Sequence, residues 1–438
     1  MKGRLLLQLR PYQEEAADFL YERDRAMILA PVGAGKTAIT LTAMQAMLQD
    51  GHVKRWLVVA PKRVCTDVWP VEAPKWSGIT PALAVGAPAQ RKAALESPAP
   101  VAVINYDNLD KLTDLSGFDG IVFDELTRLK NPSGKRFKAL EKLLATVKVR
   151  WGLTGSFTSN GLEDVFGQCK IIDQGLLGRA KGAFLQQYFI CINRDFGQWT
   201  PAGGALEQVM ARIKPATFVL EAGEYADKLP PCHTVELRCK MDDREPYAKM
   251  KRDYVARFGD DRVIAQNAAS VTTKLQQMAS GFVYNREGGQ PVHWFSTHKF
   301  DRLDELLAEN QNANTLIWYT YQEELAELRR RYPGLQTSDD DDVVNRWNAG
   351  KIPLLAAHPK SFGHGINLQG QQHMVFLSLP WSLELYEQAV GRLHRGGQKH
   401  DVWVYVMLAE KTIDERIWAA LHDKRAVSDL ALEELKDG

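Results

Sequence analysis

Residues 30–37 read Ala30-Pro31-Val32-Gly33-Ala34-Gly35-Lys36-Thr37, between an apolar run, Ala26-Met27-Ile28-Leu29, and a helical pattern that continues through Ile39, Leu41 and Met44. A buried strand, a glycine-bearing loop and a helix, with Lys-Thr at the end of the loop, form the layout of a phosphate-binding loop. Backbone N–H groups of Gly33, Ala34 and Gly35 would wrap the phosphates, and the helix N-terminus adds a favourable dipole. Lys36 would reach the β and γ phosphates, and the Thr37 hydroxyl would hold Mg²⁺. Ala30 replaces the first glycine of the strict pattern. The loop therefore points to a nucleotide site without saying which class of NTPase it serves, and the rest of the chain must decide that.

Working outward, the first part of the chain alternates apolar strands with helical stretches. Strands are expected at Ala26 to Leu29, Trp56 to Ala60, Val101 to Ile104, Gly120 to Phe123 and Arg150 to Leu153. That alternation predicts an α/β fold with a parallel sheet flanked by helices, whose ligands bind at the carboxyl ends of the strands. The fourth strand ends in Asp124-Glu125. Two adjacent carboxylates at a buried strand end are costly without a cation. Beside a phosphate loop that cation is Mg²⁺, held by Asp124, while Glu125 orients or deprotonates the attacking water. Lys62 and Arg63 follow the second strand, and Asn105-Tyr106-Asp107 follows the third; each alone reads as a solvated loop, while together, at one edge of the sheet, they read as a track for a phosphate backbone. Ahead of the first strand, Arg10-Pro11-Tyr12-Gln13 reads either as a helix start with Pro11 in the first turn or as an adenine reader through the Gln13 amide. The fifth strand leads into Thr154-Gly155-Ser156, a hydroxyl loop suited to linking the nucleotide site to a neighbouring domain.

The 438 residues suit two domains of about 200 residues each. With 45% hydrophobic and 25% charged residues the composition is globular, and no apolar run approaches the roughly 20 residues of a membrane helix. Five scattered cysteines without a C-x-x-C pair argue for reduced thiols in a cytoplasmic setting and against a zinc site. A net charge of +1 decides nothing about nucleic acid. Leu229-Pro230-Pro231 is the expected linker, giving domains 1–228 and 229–438. Helices are expected late in the first domain at Gly182 to Ile192 and Leu206 to Lys214, and, as a helical insertion ahead of the second sheet, at Lys240 to Phe258 and Ala265 to Gly281. Alternation resumes at Thr315 to Tyr319, followed by the helix Gln322 to Arg331, an acidic helix start at Asp339 to Asp342, and strands at Pro353 to Ala357, Met374 to Leu377 and Val402 to Met407. This second parallel sheet has no phosphate loop. It has instead a glycine-rich turn, Ser361 to Leu368, and a helix bearing Gln388, Arg392 and Arg395. Spacings of four and three place these side chains on one helical face, and two guanidiniums there suit polyphosphate, as in an arginine finger.

This order of motifs resembles the superfamily-two helicase-type ATPases, and within them the Swi/Snf-related translocases. The likeness runs from Arg10 to about Lys424. It is most specific at Gly391-Arg392-Leu393-His394-Arg395-Gly396-Gly397-Gln398 and at Gly365-Ile366-Asn367-Leu368, with further matches at Trp69, Glu72, Lys75 and Trp76, at Lys130-Asn131, and at Thr412-Ile413-Asp414-Glu415. The resemblance implies two RecA-like lobes closing on ATP and Mg²⁺ while duplex DNA tracks across both. It implies adenine contact by Gln13, with Arg10 beside it at the nucleotide site, and nucleic-acid contact by the loops holding Lys62, Asn105 and Asn367. Two departures stand out. Thr127 occupies the place of the histidine usual after the carboxylate pair, and Phe157 stands where proline is common. Short stretches before the phosphate loop and after the arginine helix predict a compact prokaryotic or viral form, working in the cytoplasm, with the nucleus not excluded. The expected function is an ATP-dependent duplex-DNA translocase. A strand-separating DNA or RNA helicase, or an ATP-gated nucleic-acid-binding scaffold, are the alternatives.

Overall fold

The computed structural model describes residues 8–436 apart from 32, 159–160, 194–196, 221–228, 259–260, 266–267, 286–291, 341 and 361–366. Two compact units emerge: residues 1–228 with 424–438, and residues 229–362 with 366–423.

The first unit holds the strands β1 (Arg25–Leu29), β2 (Trp56–Ala60), β3 (Ala82–Ala84), β4 (Val101–Asn105), β5 (Gly120–Asp124) and β6 (Val149–Thr154). With the strand Thr217–Val219 they form a seven-stranded sheet in the order β3-β4-β2-β5-β6-β1-(217–219), and every adjacent pair is parallel. Nearly every residue of β1, β2 and β4 is buried, because helices cover both faces of a parallel sheet. Alternate side chains feed two cores. Met27, Leu29, Leu57 and Val59 pack on one face, and Ala26, Ile28, Trp56 and Val58 on the other. Fully burying each such aliphatic side chain stabilises by about 1.5–3 kcal/mol.

In the second unit, six parallel strands run in the order Cys232–Cys239, Val402–Ala409, His373–Phe376, Thr315–Trp318, Leu354–Ala357, Gln336–Thr337. Each sheet is thus parallel and flanked by helices. The helix Gln322–Arg331 forms as expected, and Asp342 stands immediately before the helix Val343–Asn348 without a side-chain capping bond.

The connecting region differs from its reading. Residues 182–192 are helical only within Lys181–Tyr188; Phe189–Asn193 is a strand paired antiparallel with Gln198–Pro201. A short apolar run does not by itself separate helix from strand, and here Phe189-Ile190-Cys191-Ile192 alternates between faces. The long helix expected over Lys240 to Phe258 is the helix Glu245–Asp253, ended by Tyr254 at φ 60°, then a strand, Val255–Phe258, that pairs with Asp261–Ile264. The insertion therefore mixes helices with two-stranded ribbons. The edge strand Cys232–Cys239 was not anticipated, since its parallel partner lies some 170 residues away. Residues from Lys424 onward group with the first unit, where Ala431 and Leu435 are buried in its core; the sequence reading carried the second lobe to residue 438. No helix among the described residues is long and apolar enough to cross a membrane.

Candidate functional site

The phosphate loop lies between β1 and the helix α2 (Lys36–Gln49). Gly33 and Gly35 adopt φ of 89° and 84°, left-handed values open to glycine at little cost. A Cβ at Gly35 would meet Gln13 Nε2 at 2.2 Å, so a larger residue there would push the Gln13 amide off the loop. α2 starts without a side-chain cap, so its first N–H groups suit an anion. Lys36 Nζ donates to the carbonyls of Ala30 at 2.6 Å and Pro31 at 3.0 Å, holding the ammonium at the loop. Val32 lies outside the described residues.

Gln13 braces this loop from the helix α1 (Pro11–Tyr21). Its amide is buried, with Nε2 donating to Ala34 O at 3.2 Å and Oε1 accepting from Arg10 N–H at 3.0 Å. The helix-start reading holds, with Pro11 in the first turn of α1, and both ends of the Gln13 amide are bonded to the backbone of that start and of the loop. Arg10 is exposed at the helix start.

At the end of β5, burial pushes the Asp124 carboxyl up to about 6, against the pull of hydrogen bonding from Trp69 and the charge of nearby Lys36. Trp69 Nε1 donates to Asp124 Oδ2 at 3.0 Å. Glu125 sits at φ 69°, ψ 64°, a left-handed conformation that costs a non-glycine residue about 1–2 kcal/mol. Thr127, in the place of the usual histidine, donates its hydroxyl to Glu125 Oε1 at 3.1 Å. A buried carboxylate beside an ammonium and an uncapped helix start is a donor set that fits a nucleoside triphosphate with a divalent cation. Thr37 is half-buried at the first turn of α2.

The loops after β2 and β4 lie at the same sheet edge, and these two strands pair directly. Lys62 is exposed and Arg63 half-buried. Asn105, expected to meet nucleic acid, is 4% exposed and accepts a hydrogen bond from Asn108 Nδ2, while Asn108 Oδ1 accepts from exposed Lys111 at 3.2 Å. Tyr106 is also buried, so its ring does not offer a stacking surface. Glu72 accepts from Lys75 at 2.8 Å and from Trp76 Nε1 at 2.9 Å, so the Trp-Glu-Lys-Trp segment is largely self-bracing. In the Thr154-Gly155-Ser156 loop, Ser156 Oγ pairs with Ser428 Oγ at 3.1 Å, within the first unit, and Phe157 fills the core.

In the second unit the helix ends earlier than expected. It spans Leu383–Val390, so Arg392 and Arg395 lie beyond its end and share no regular helical face with Gln388. Arg392, Leu393 and His394 continue as turns bonded back to Ala389 and Val390. Gln388 is buried and donates to Glu384 at 3.1 Å; Arg392 is buried and Arg395 half-buried. His394 bonds Pro230 O at 2.8 Å, and Gln398 Nε2 bonds the carbonyls of Gln371 and Leu393. These two motif residues fasten the turn that carries the arginines. Asn367 Oδ1 accepts from Gln369 N–H at 3.1 Å, closing a local turn; residues 361–366 of the glycine-rich turn lie outside the described residues.

Residues 12–281 match the SNF2-related domain, and residues 298–397 match the helicase conserved C-terminal domain. A protein designated putative protein p41, from a phage of a secondary endosymbiont of Acyrthosiphon pisum, is 36% identical over 98% of both chains. The DNA repair and recombination protein RAD54-like of Gallus gallus is 24% identical over 98% of this chain and 68% of its own length. Among solved structures, the Sulfolobus solfataricus SWI2/SNF2 ATPase core in complex with dsDNA aligns over 98% of this chain and 94% of its own, at 19% identity and a TM-score of 0.47.

Proposed function

The chain belongs to the SNF2-related family of nucleic-acid-dependent ATPases, and from that premise we propose that it is a motor that hydrolyses ATP to translocate on duplex DNA. The observation that carries this reading is the convergence, at one sheet edge, of the Lys36 loop with the Asp124–Glu125 pair and, on neighbouring strands, the cationic loop at Lys62 and Arg63. The RAD54-like relatives, named for DNA repair and recombination, support DNA as the track.

In this reading the N–H groups of Gly33, Ala34 and Gly35 and the start of α2 bind the phosphates, while Lys36 leaves its two carbonyl partners for the β and γ oxygens. Gln13 positions the adenine side of the nucleotide, with Arg10 beside it. Mg²⁺, held by Thr37 and Asp124, would supply charge neutralisation on the phosphates. Glu125 takes a proton from the attacking water. Arg392 and Arg395 from the second lobe act on the developing charge of the γ phosphoryl group, with Gln388 behind them. Lys62 and the loops holding Asn105 and Asn367 engage the DNA backbone. The phage relative supports action in a host cytoplasm.

The test is displacement of a triplex-forming third strand from duplex DNA. ATP-dependent displacement without separation of the duplex strands supports the translocase. Strand separation in the same assay would assign a helicase, and neither activity in the presence of turnover would overturn both.

A further inference from the structure

Two buried aromatic donors reach the carboxylate pair, each from one of the loops expected at nucleic acid. The loop at Lys62-Arg63 leads through the turn Val64–Val68 into the helix α3 (Trp69–Trp76). Trp69, its first residue, is fully buried and fixes the Asp124 carboxylate at 3.0 Å. Tyr106 follows Asn105 directly and is 3% exposed. Its hydroxyl donates to the carbonyl oxygens of both Asp124, at 3.1 Å, and Glu125, at 3.2 Å. Those carbonyls flank the left-handed turn that aims Glu125, so Tyr106 holds a strained backbone in place. The surface end of the same chain is Lys111, exposed, bonded to Asn108, which is bonded to Asn105 beside Tyr106. A phosphate drawn to Lys111 therefore acts on the loop whose next residue holds the Glu125 backbone.

We propose that Tyr106 and Trp69 are positioning residues that couple nucleic-acid engagement at the Lys111 and Lys62 loops to the aim of Asp124 and Glu125. The inference rests on the duplex-DNA reading above. Neither aromatic touches nucleotide or DNA; both act through the carboxylate pair. Lys111, rather than the inward-facing Asn105, is the group of its loop that meets phosphate.

The experiment compares steady-state ATPase with and without saturating duplex DNA for the wild type, Tyr106→Phe, Trp69→Phe, Lys111→Ala and a control, Trp151→Phe. Trp151 is equally buried in the same unit but donates to Arg23 O at 2.9 Å. The expected result is a stimulation ratio lowered about 5-fold or more in Tyr106→Phe and Trp69→Phe, at unchanged duplex Kd and with a fall in Tm no greater than the control's, while the control keeps the wild-type ratio. Tyr106→Phe combined with Lys111→Ala should be no worse than the worse single variant, since both break one chain. Wild-type ratios in both aromatic variants, or an equal loss in Trp151→Phe, would overturn the coupling. If an aromatic variant fails to fold, Lys111→Ala at its exposed site decides: an unchanged ratio at saturating DNA overturns the proposal. A wild type that duplex DNA does not stimulate would instead overturn the reading on which it rests.

Discussion

The carboxyl edges of the two sheets handle buried polar groups in opposite ways. In the first unit they are left poised. Burial raises the Asp124 carboxyl to about 6, Glu125 is kept in a left-handed turn, and Lys36 donates to two loop carbonyls. In the second unit most of them are closed by internal partners, although Asp414 Oδ1 is buried without a hydrogen-bond partner. Glu324, fully buried, accepts from Ser280 and Ser378 hydroxyls at 2.6 and 2.9 Å and from the N–H groups of Thr320 and Tyr321. Lys299 and Asp414, 0% and 1% exposed, pair at 2.7 Å. Gln276 ties Leu379 O to the Tyr321 hydroxyl and the Trp381 indole. One edge leaves its charged groups poised; the other spends most of its polar groups on holding its own loops rigid.

The contrast breaks first at the poised edge. Lys36→Ala and Glu125→Gln should each lower ATP turnover by about 10²–10³-fold or more while leaving the fold intact, read by steady-state ATPase and circular dichroism. Near-normal turnover in either would remove that residue from the chemistry. Arg395→Ala should spare ATP binding, measured by fluorescent-nucleotide titration, yet lose up to about 10³-fold in turnover.

At the closed edge the losses should appear in stability. Asp414→Asn strands the buried Lys299 ammonium and should cost about 3–5 kcal/mol, seen as a lower urea midpoint for the second unit; Lys299→Met with Asp414→Leu should recover most of it. The smallest effect is in pH. His298 is 6% exposed, and burial, with a contribution from Lys299, lowers its imidazole to about 4, against the raising influence of Ala279 O, Asp414 and Asp242. Its folded value lies below the free value of about 6.5, so the unfolded chain takes up the proton first. Stability is therefore full above about pH 6.5 and lost as pH falls toward 4, by about 2 kcal/mol at pH 5. His298→Gln should flatten that part of the urea-midpoint profile.

The poised edge was largely legible in the sequence because its chemistry is local. Gly33-Ala34-Gly35-Lys36-Thr37 and Asp124-Glu125 announce themselves over a few residues. The closed edge was not, because its partners are far apart: Asp414 sits in a segment noted only for its family likeness, and Lys299 lies 115 residues before it. The same distance hid Trp69 and Tyr106 as donors to the carboxylate pair, since no spacing rule says that an aromatic after one strand bonds the end of another. Asn105 was read as outward-facing because an amide at a strand end suits a backbone track, but Asn108, three residues on, turns it inward. The parallel strands follow from apolar runs, whereas Phe189 to Ile192 and Val255–Phe258 fit a helical reading because short runs lack a decisive period.

The most direct measurement is steady-state ATPase activity of the intact protein with no nucleic acid, single-stranded DNA, duplex DNA and RNA, at one stated salt concentration. Strong stimulation by duplex DNA, and much less by the others, is expected of a duplex translocase. Stimulation chiefly by single strands or RNA, or turnover indifferent to all of them, would contradict it.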